Sequence, residues 1–178
     1  MPQSLEAFAL LLLQNEQRAA ASITEPVLVW SIPRERELDT EGNELSMGTM
    51  TAALSSTRRP REGEAIFFPL KKRGQTAHPF GSGITVGRSD HHDVVVPDGS
   101  ISRYHAYLQQ DAKSGLWRVV DAGSKNGTWL GPLKLTEQMP YPIGDGSRLR
   151  FGDVEMIFWS PESFVSFVRQ QLEGGDEG

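Results

Sequence analysis

Three short stretches carry side chains suited to gripping an anion: Gly87-Arg88-Ser89, Ser100-Ile101-Ser102-Arg103-Tyr104-His105-Ala106 and Ser124-Lys125-Asn126-Gly127-Thr128. Arg88 offers a planar, permanently charged fork that matches a phosphate or carboxylate. Ser102 brings a hydroxyl and a backbone N–H, and Arg103 and Lys125 bring further positive charge. The Asn126 amide both donates and accepts, which suits a peptide backbone. Each stretch joins a strand-like run to a loop, so the polar groups sit at loop positions on an apolar scaffold. These types and positions fit one small anionic group held by several donors.

Other chemistries find less support. A serine near a histidine invites a nucleophile and its base, but Ser102 and His105 have no Asp or Glu partner in a G-x-S-x-G setting. Asp90-His91-His92-Asp93 invites a metal, yet adjacent histidines point apart on a strand and no cysteine or third nearby histidine completes a shell. The expectation there is a surface turn before Val94-Val95-Val96, with no metal and no cofactor. The glycines around Gly81 and Gly83 lack the strand-then-helix setting of a nucleotide-binding loop.

GR, about a dozen residues, SxxH, about twenty residues, then NG with strands between: order and spacing together resemble the forkhead-associated (FHA) domain, over residues 66–159. The resemblance, to a domain protein of the single-domain bacterial type, implies a phosphothreonine-binding antiparallel β-sandwich of about 11 short strands. It implies that Arg88, Ser102, Arg103, Lys125 and Ser100 bind phosphate and that Asn126 grips the ligand's main chain. By the same resemblance, Gly87, His105 and Gly127 are structural, His105 bracing the loops without touching ligand. Lys125 stands where many members carry threonine or another residue, and Ser100 where some place a second arginine.

The flanking elements must position this scaffold. Residues 5–21 are expected as one helix, with Ser4 as N-cap and Leu5, Phe8, Leu12 and Leu13 at helical spacing. No Lys or Arg precedes the apolar run and Glu6 opens it, so it is not read as a secretory signal or a membrane span. Val27-Leu28-Val29-Trp30 reads as a short strand between Pro26 and Pro33. Residues 34–61 are charged, then rich in Thr, Ser, Gly and Arg, and read as a linker. Lys71-Lys72-Arg73 reads as a solvated edge. Residues 161–178 begin as a helix, with Ser160 as cap, Pro161 at the first helical position and Gly174-Gly175 as the stop, and end in an acidic tail. The expected organisation is therefore residues 1–61 packing on or leading to the domain, 62–160 the all-β FHA-like sandwich, and 161–178 helix and tail.

Composition narrows the function. The 178 residues carry 18 Lys+Arg against 23 Asp+Glu, a net charge of −5, which argues against a general nucleic-acid binder. No cysteine is present, so a disulfide framework and thiol chemistry are excluded, and a reducing cytoplasm is permitted. The expectation is a cytoplasmic binding module, not an enzyme, that reads phosphothreonine downstream of a Ser/Thr protein kinase, with no nucleic-acid or membrane partner. Its ligand is another protein or its own Thr-rich segment, with Thr51 and Leu54 as one candidate. The alternative is a phosphate-independent adaptor that binds through the terminal apolar helices.

Overall fold

The computed structural model describes residues 2–32, 59–74 and 82–174. Its strands follow the alternation of buried and outward side chains. In β6 (Ala106–Gln110), Ala106 and Leu108 are buried, and in β12 (Val154–Trp159), Val154, Met156 and Phe158 are buried while Glu155 faces solvent. One five-stranded sheet runs β10 (Tyr141–Ile143), β7 (Trp117–Asp121), β6, β4 (Ile84–Gly87), β5 (Val94–Val95). Its pairs are antiparallel except β4 with β5, which run parallel with Val86 opposite Val94.

The second sheet has seven strands, in the order β1 (Gln3–Ser4), β3 (Ala65–Pro69), β2 (Val27–Ser31), β12, β11 (Arg148–Phe151), β8 (Thr128–Leu130), β9 (Leu133–Lys134). The inner faces of the two sheets bury one core, including Leu28, Trp30, Phe68, Leu108, Leu149, Phe151 and Met156. This is the expected antiparallel sandwich, with twelve strands among the described residues.

β2 is apolar on both faces because both are covered. Leu28 and Trp30 point into the sandwich, while Val27 and Val29 join Phe67 beneath a layer of helices. In that layer Phe8 and Phe164 meet Phe67, with ring centroids 5.7 and 4.7 Å from it. Arg169 pairs with Glu16 across the helices. The strand read from residues 27–30 thus stands between β3 and β12, inside the larger sheet.

Four expectations require correction. The helix expected over 5–21 divides into α1 (Leu5–Gln14) and α2 (Glu16–Ser22). Asn15 turns extended, with φ −157°, and its side chain accepts from the Arg18 N–H to cap the second helix. Ser160 donates its hydroxyl to Asp145, whose carboxylate also accepts from the Ser160 N–H and from Ser163 at the start of α3 (Pro161–Gly174). The capping charge therefore comes from another loop.

The supposed surface turn at 90–93 is half interior: His92 and Asp93 are buried. Asp93 accepts from the Thr85 N–H and hydroxyl, the Arg73 N–H and Lys72 Nζ, so Lys72 is not simply a solvated edge charge. Burial pushes the Asp93 carboxyl up, but these donors hold it below the ordinary carboxylate value. The Thr-rich stretch with Thr51 and Leu54, and the acidic tail after Gly174, lie outside the described residues.

Phe164 is completely buried at the junction of α1, α3 and β3, so the helical layer depends on it. Phe164→Ala is expected to cost about 3–5 kcal/mol in denaturant unfolding. A loss below about 1 kcal/mol would mean that the helices do not pack as an integral layer.

Candidate functional site

Sheet topology brings the three motif stretches together. β4 ends at Gly87, β6 begins at Ala106 antiparallel to β4, and β7 ends at Asp121 antiparallel to β6. The segments after β4, before β6 and after β7 therefore emerge at one end of the five-stranded sheet. They are then tied to one another by specific bonds.

Gly87 makes the first junction. A Cβ there would lie 2.2 Å from the Arg103 carbonyl oxygen and 2.5 Å from the His92 ring, so only glycine lets the second loop lie against the first. The Arg88 N–H donates to the Ser102 carbonyl at 3.0 Å, and Arg88 Nε donates to the Ile101 carbonyl at 3.1 Å. Fixing Nε aims the fork, and the two terminal guanidinium nitrogens have no partner among the described residues. Arg88 is exposed.

His105 makes the second junction. It is fully buried, accepts from the Ser102 N–H at Nδ1 (3.0 Å) and, through Nε2, reaches the Gly127 carbonyl at 2.9 Å. One ring nitrogen accepts and the other donates, which requires the neutral Nε2–H tautomer. Burial agrees, pushing the imidazole below its usual value despite the opposing Gly127 bond and the Asp121 charge. His105 thus joins the second and third loops through its two ring nitrogens, and it contacts the Ser102 N–H, not the Ser102 hydroxyl.

Asp121 shapes the third loop. Its buried carboxylate accepts from the Gly123 and Ser124 N–H groups and from the Ser124 and Thr128 hydroxyls. Burial raises its pKa, but those four donors together hold it below the ordinary value. Ser124 in turn accepts from the Gly127 N–H, and Gly127 itself sits at φ +87°. This closed set of bonds presents Lys125 and Asn126 outward. The third sequence stretch includes Ser124 and Thr128 without assigning them a role and leaves out Asp121; the signal for it is an aspartate two and three residues before Gly and Ser, the pattern of a side chain capping its own turn.

The sequence-derived residues separate into two groups. Arg88, Arg103, Lys125 and Asn126 are exposed and Ser102 is half-exposed. The Ser102 hydroxyl accepts from the Lys125 N–H at 2.9 Å, which leaves its own proton free to donate outward. Its backbone N–H is not available as expected, being taken by His105.

Ser100 is the second departure: its hydroxyl donates to Asp98 and accepts from the Asp153 N–H, and its carbonyl accepts from Asn126 Nδ2 at 2.8 Å. Ser100 therefore ties the loops to the turn between β11 and β12. Asn126 keeps its carbonyl oxygen and one N–H for a ligand. Among the described residues no three His, Cys, Asp or Glu side chains converge as a metal-binding group.

The neutral His105 carries a pH signature. Its pKa is lowered by folding, so the unfolded chain takes up a proton first, and the stability it supports is present above about pH 6.5 and declines as the pH falls below it. The melting temperature of the wild-type chain should therefore fall more steeply between about pH 7.5 and 5.5 than that of His105→Gln. Parallel profiles would show that His105 does not hold the loops in its neutral form.

The FHA domain family model matches residues 84–152, the span from β4 to the start of the β11–β12 turn. An FHA domain-containing protein of Arabidopsis thaliana is 31% identical over 112 residues, which is 62% of this chain and 26% of that protein. FHA domain-containing protein FhaB of Mycobacterium tuberculosis is 34% identical over 73 residues, 41% of this chain and 46% of that protein. The chain thus spans less than half the length of either relative. A solved structure from a structural and functional analysis of phosphothreonine-dependent FHA domain interactions is similar with a TM-score of 0.44 at 17% identity, covering 75% of this chain and 95% of that one. Residues 84–152 of this chain are an FHA domain.

Proposed function

We propose that this chain is a phosphothreonine-dependent protein-binding module that acts by recognition, not catalysis, in Ser/Thr-kinase signalling in the cytoplasm. The observation that carries the reading is the Ser102 hydroxyl, which accepts from the Lys125 N–H and so keeps its proton to donate, on the loop whose Ile101 carbonyl fixes Arg88 Nε. A phosphothreonine brings about −1.5 to −2 charges. Arg88, Ser102, Arg103 and Lys125 supply donors to it, at about 1.5–3 kcal/mol for each charge-assisted bond. Asn126 holds the peptide backbone with the amide atoms that Ser100 leaves free. Ser100 serves this site by positioning Asn126, not by touching phosphate.

The ligand is a phosphorylated partner or this chain's own Thr-rich segment. The second source is favoured by Arg59, whose guanidinium pairs with Asp98 at 3.2 Å beside the second loop. Arg59 itself is therefore held beside the second loop, and a ligand tethered to it has a raised effective concentration there. Mass spectrometry after treatment with a Ser/Thr kinase should find phosphate between residues 40 and 57; its absence would eliminate the self-ligand.

A second reading, the phosphate-independent adaptor, draws on Leu10 and Leu13, which α1 leaves 51% and 68% exposed. One binding experiment separates the two. Capture on a degenerate phosphothreonine peptide library should exceed capture on unphosphorylated and phosphoserine libraries, and Arg88→Ala should weaken it about ten- to hundredfold. If an Arg88→Ala, Ser102→Ala double variant captures its partner unchanged, the adaptor reading stands in its place.

A further inference from the structure

Across the outer face of the seven-stranded sheet, the register places Lys134 opposite Trp129, Trp129 opposite Arg150 and Arg150 opposite Glu155. Directly opposed residues project on the same face, so these four form one row. The helices cover the β2 and β3 half of this face, and the row lies on the other half. Lys134 is exposed and Trp129 and Arg150 are partly exposed.

Both cations lie on the indole. The Arg150 guanidinium carbon is 3.7 Å from the Trp129 ring centroid, and Lys134 Nζ is 5.5 Å from it, distances at which the ring quadrupole attracts a cation. The stack also touches the third loop. A Cβ on Gly127 would lie 2.9 Å from Lys134 Cε and 3.0 Å from Trp129 Cη2, so the lysine stem and the ring edge rest against the turn that presents Asn126.

The charges of this row are unbalanced. Glu155, the nearest acid by register, pairs with Arg148 at 3.4 Å. Among the described residues neither Lys134 nor Arg150 forms an ion pair. Two like charges share one ring, in a protein whose 23 acidic residues outnumber its 18 basic ones. An anion that approaches the exposed side of this row relieves the repulsion and gains attraction from both charges.

We infer that Lys134, Trp129 and Arg150 form a specificity subsite for an acidic side chain of the bound peptide, just beyond the residues held by Asn126. The inference rests on the reading of the three loops as the phosphothreonine site. The indole supplies a flat wall for the peptide, and the two cations select a carboxylate over a neutral or basic group. The same geometry makes Trp129 a positioning residue for Asn126, because its ring braces the Gly127 turn.

The test is a set of phosphothreonine peptides in which Asp, Ala or Lys is placed in turn at each flanking position. At one flank, the wild-type chain should prefer Asp over Lys by about three- to tenfold, the range expected of exposed charge pairs. A Lys134→Gln, Arg150→Gln double variant should lose that preference while its remaining phosphothreonine binding still requires Arg88. Lys134→Glu should shift it towards Lys. A wild-type chain with no acidic preference, or a double variant that keeps it, overturns this inference alone. Failure to bind any phosphothreonine peptide overturns the reading of the loops, and this inference with it.

Discussion

A neutral, buried imidazole joins the second and third loops from within, beneath the Lys125–Ser102 and Asn126–Ser100 bonds that tie them at the rim. His105 takes the Ser102 N–H on one nitrogen and reaches the Gly127 carbonyl with the other, from a position that water does not enter. Burying the Ser102 N–H without a partner would cost about 1–3 kcal/mol, whereas the Gly127 carbonyl also accepts from the Gly152 N–H. The bonds therefore fix where the loops end as well as holding them there. Because the ring must accept on one side and donate on the other, neither lysine nor a protonated imidazole reproduces the pattern. Everything placed on the rim inherits this constraint, since the Ser102 hydroxyl and the Asn126 amide stand directly beside the two bonded groups.

Around that brace, the loops are satisfied almost entirely by their own polar atoms. Asp121 closes the third loop with four donors, Asp98 closes the second through Ser100, and Asp93 ties the turn after β4 to Thr85 and to the chain at Arg73. These three carboxylates are spent inside the loops, their acidity strengthened by the donors that surround them. The division of labour has an electrostatic result. Negative charge is drawn inward and neutralised, while Arg88, Arg103 and Lys125 remain outward. An acidic protein thereby keeps a positive rim.

The sequence made the loops legible where the backbone itself demands a residue type. Gly87 is required because a Cβ would strike the Arg103 carbonyl, and Gly127 because its φ is +87°. Such requirements are local and leave a mark at a fixed position. The two-residue strands β1 and β9 left none, because they exist only through register with β3 and β8. The break at Asn15 was also hidden within an apolar periodicity that continues past it, although an asparagine followed by Glu16 is a capping signal in its own right. The role of Ser100 was obscured for a different reason. Its hydroxyl is claimed by Asp98 and by the Asp153 N–H, and Asp153 lies far along the chain, so no reading of neighbours reveals that it is already committed.

The helical layer bears on the site through the sheet that it covers. β2 and β12 are central strands of the larger sheet, and β11 follows β12 directly. Val27, Val29, Phe67 and Phe164 bury the outer face of β2 and β3, so that half of the sheet cannot receive a ligand. The β8–β9 half, outside that apolar cluster, carries Trp129 instead of an aliphatic side chain. The turn from β11 to β12 donates through Gly152 to the Gly127 carbonyl and through Asp153 to Ser100, touching the second and third loops together. Packing far from the rim is thereby linked to it through rigid strands and two backbone donors. The helices need not approach the three loops to determine how firmly those loops are held.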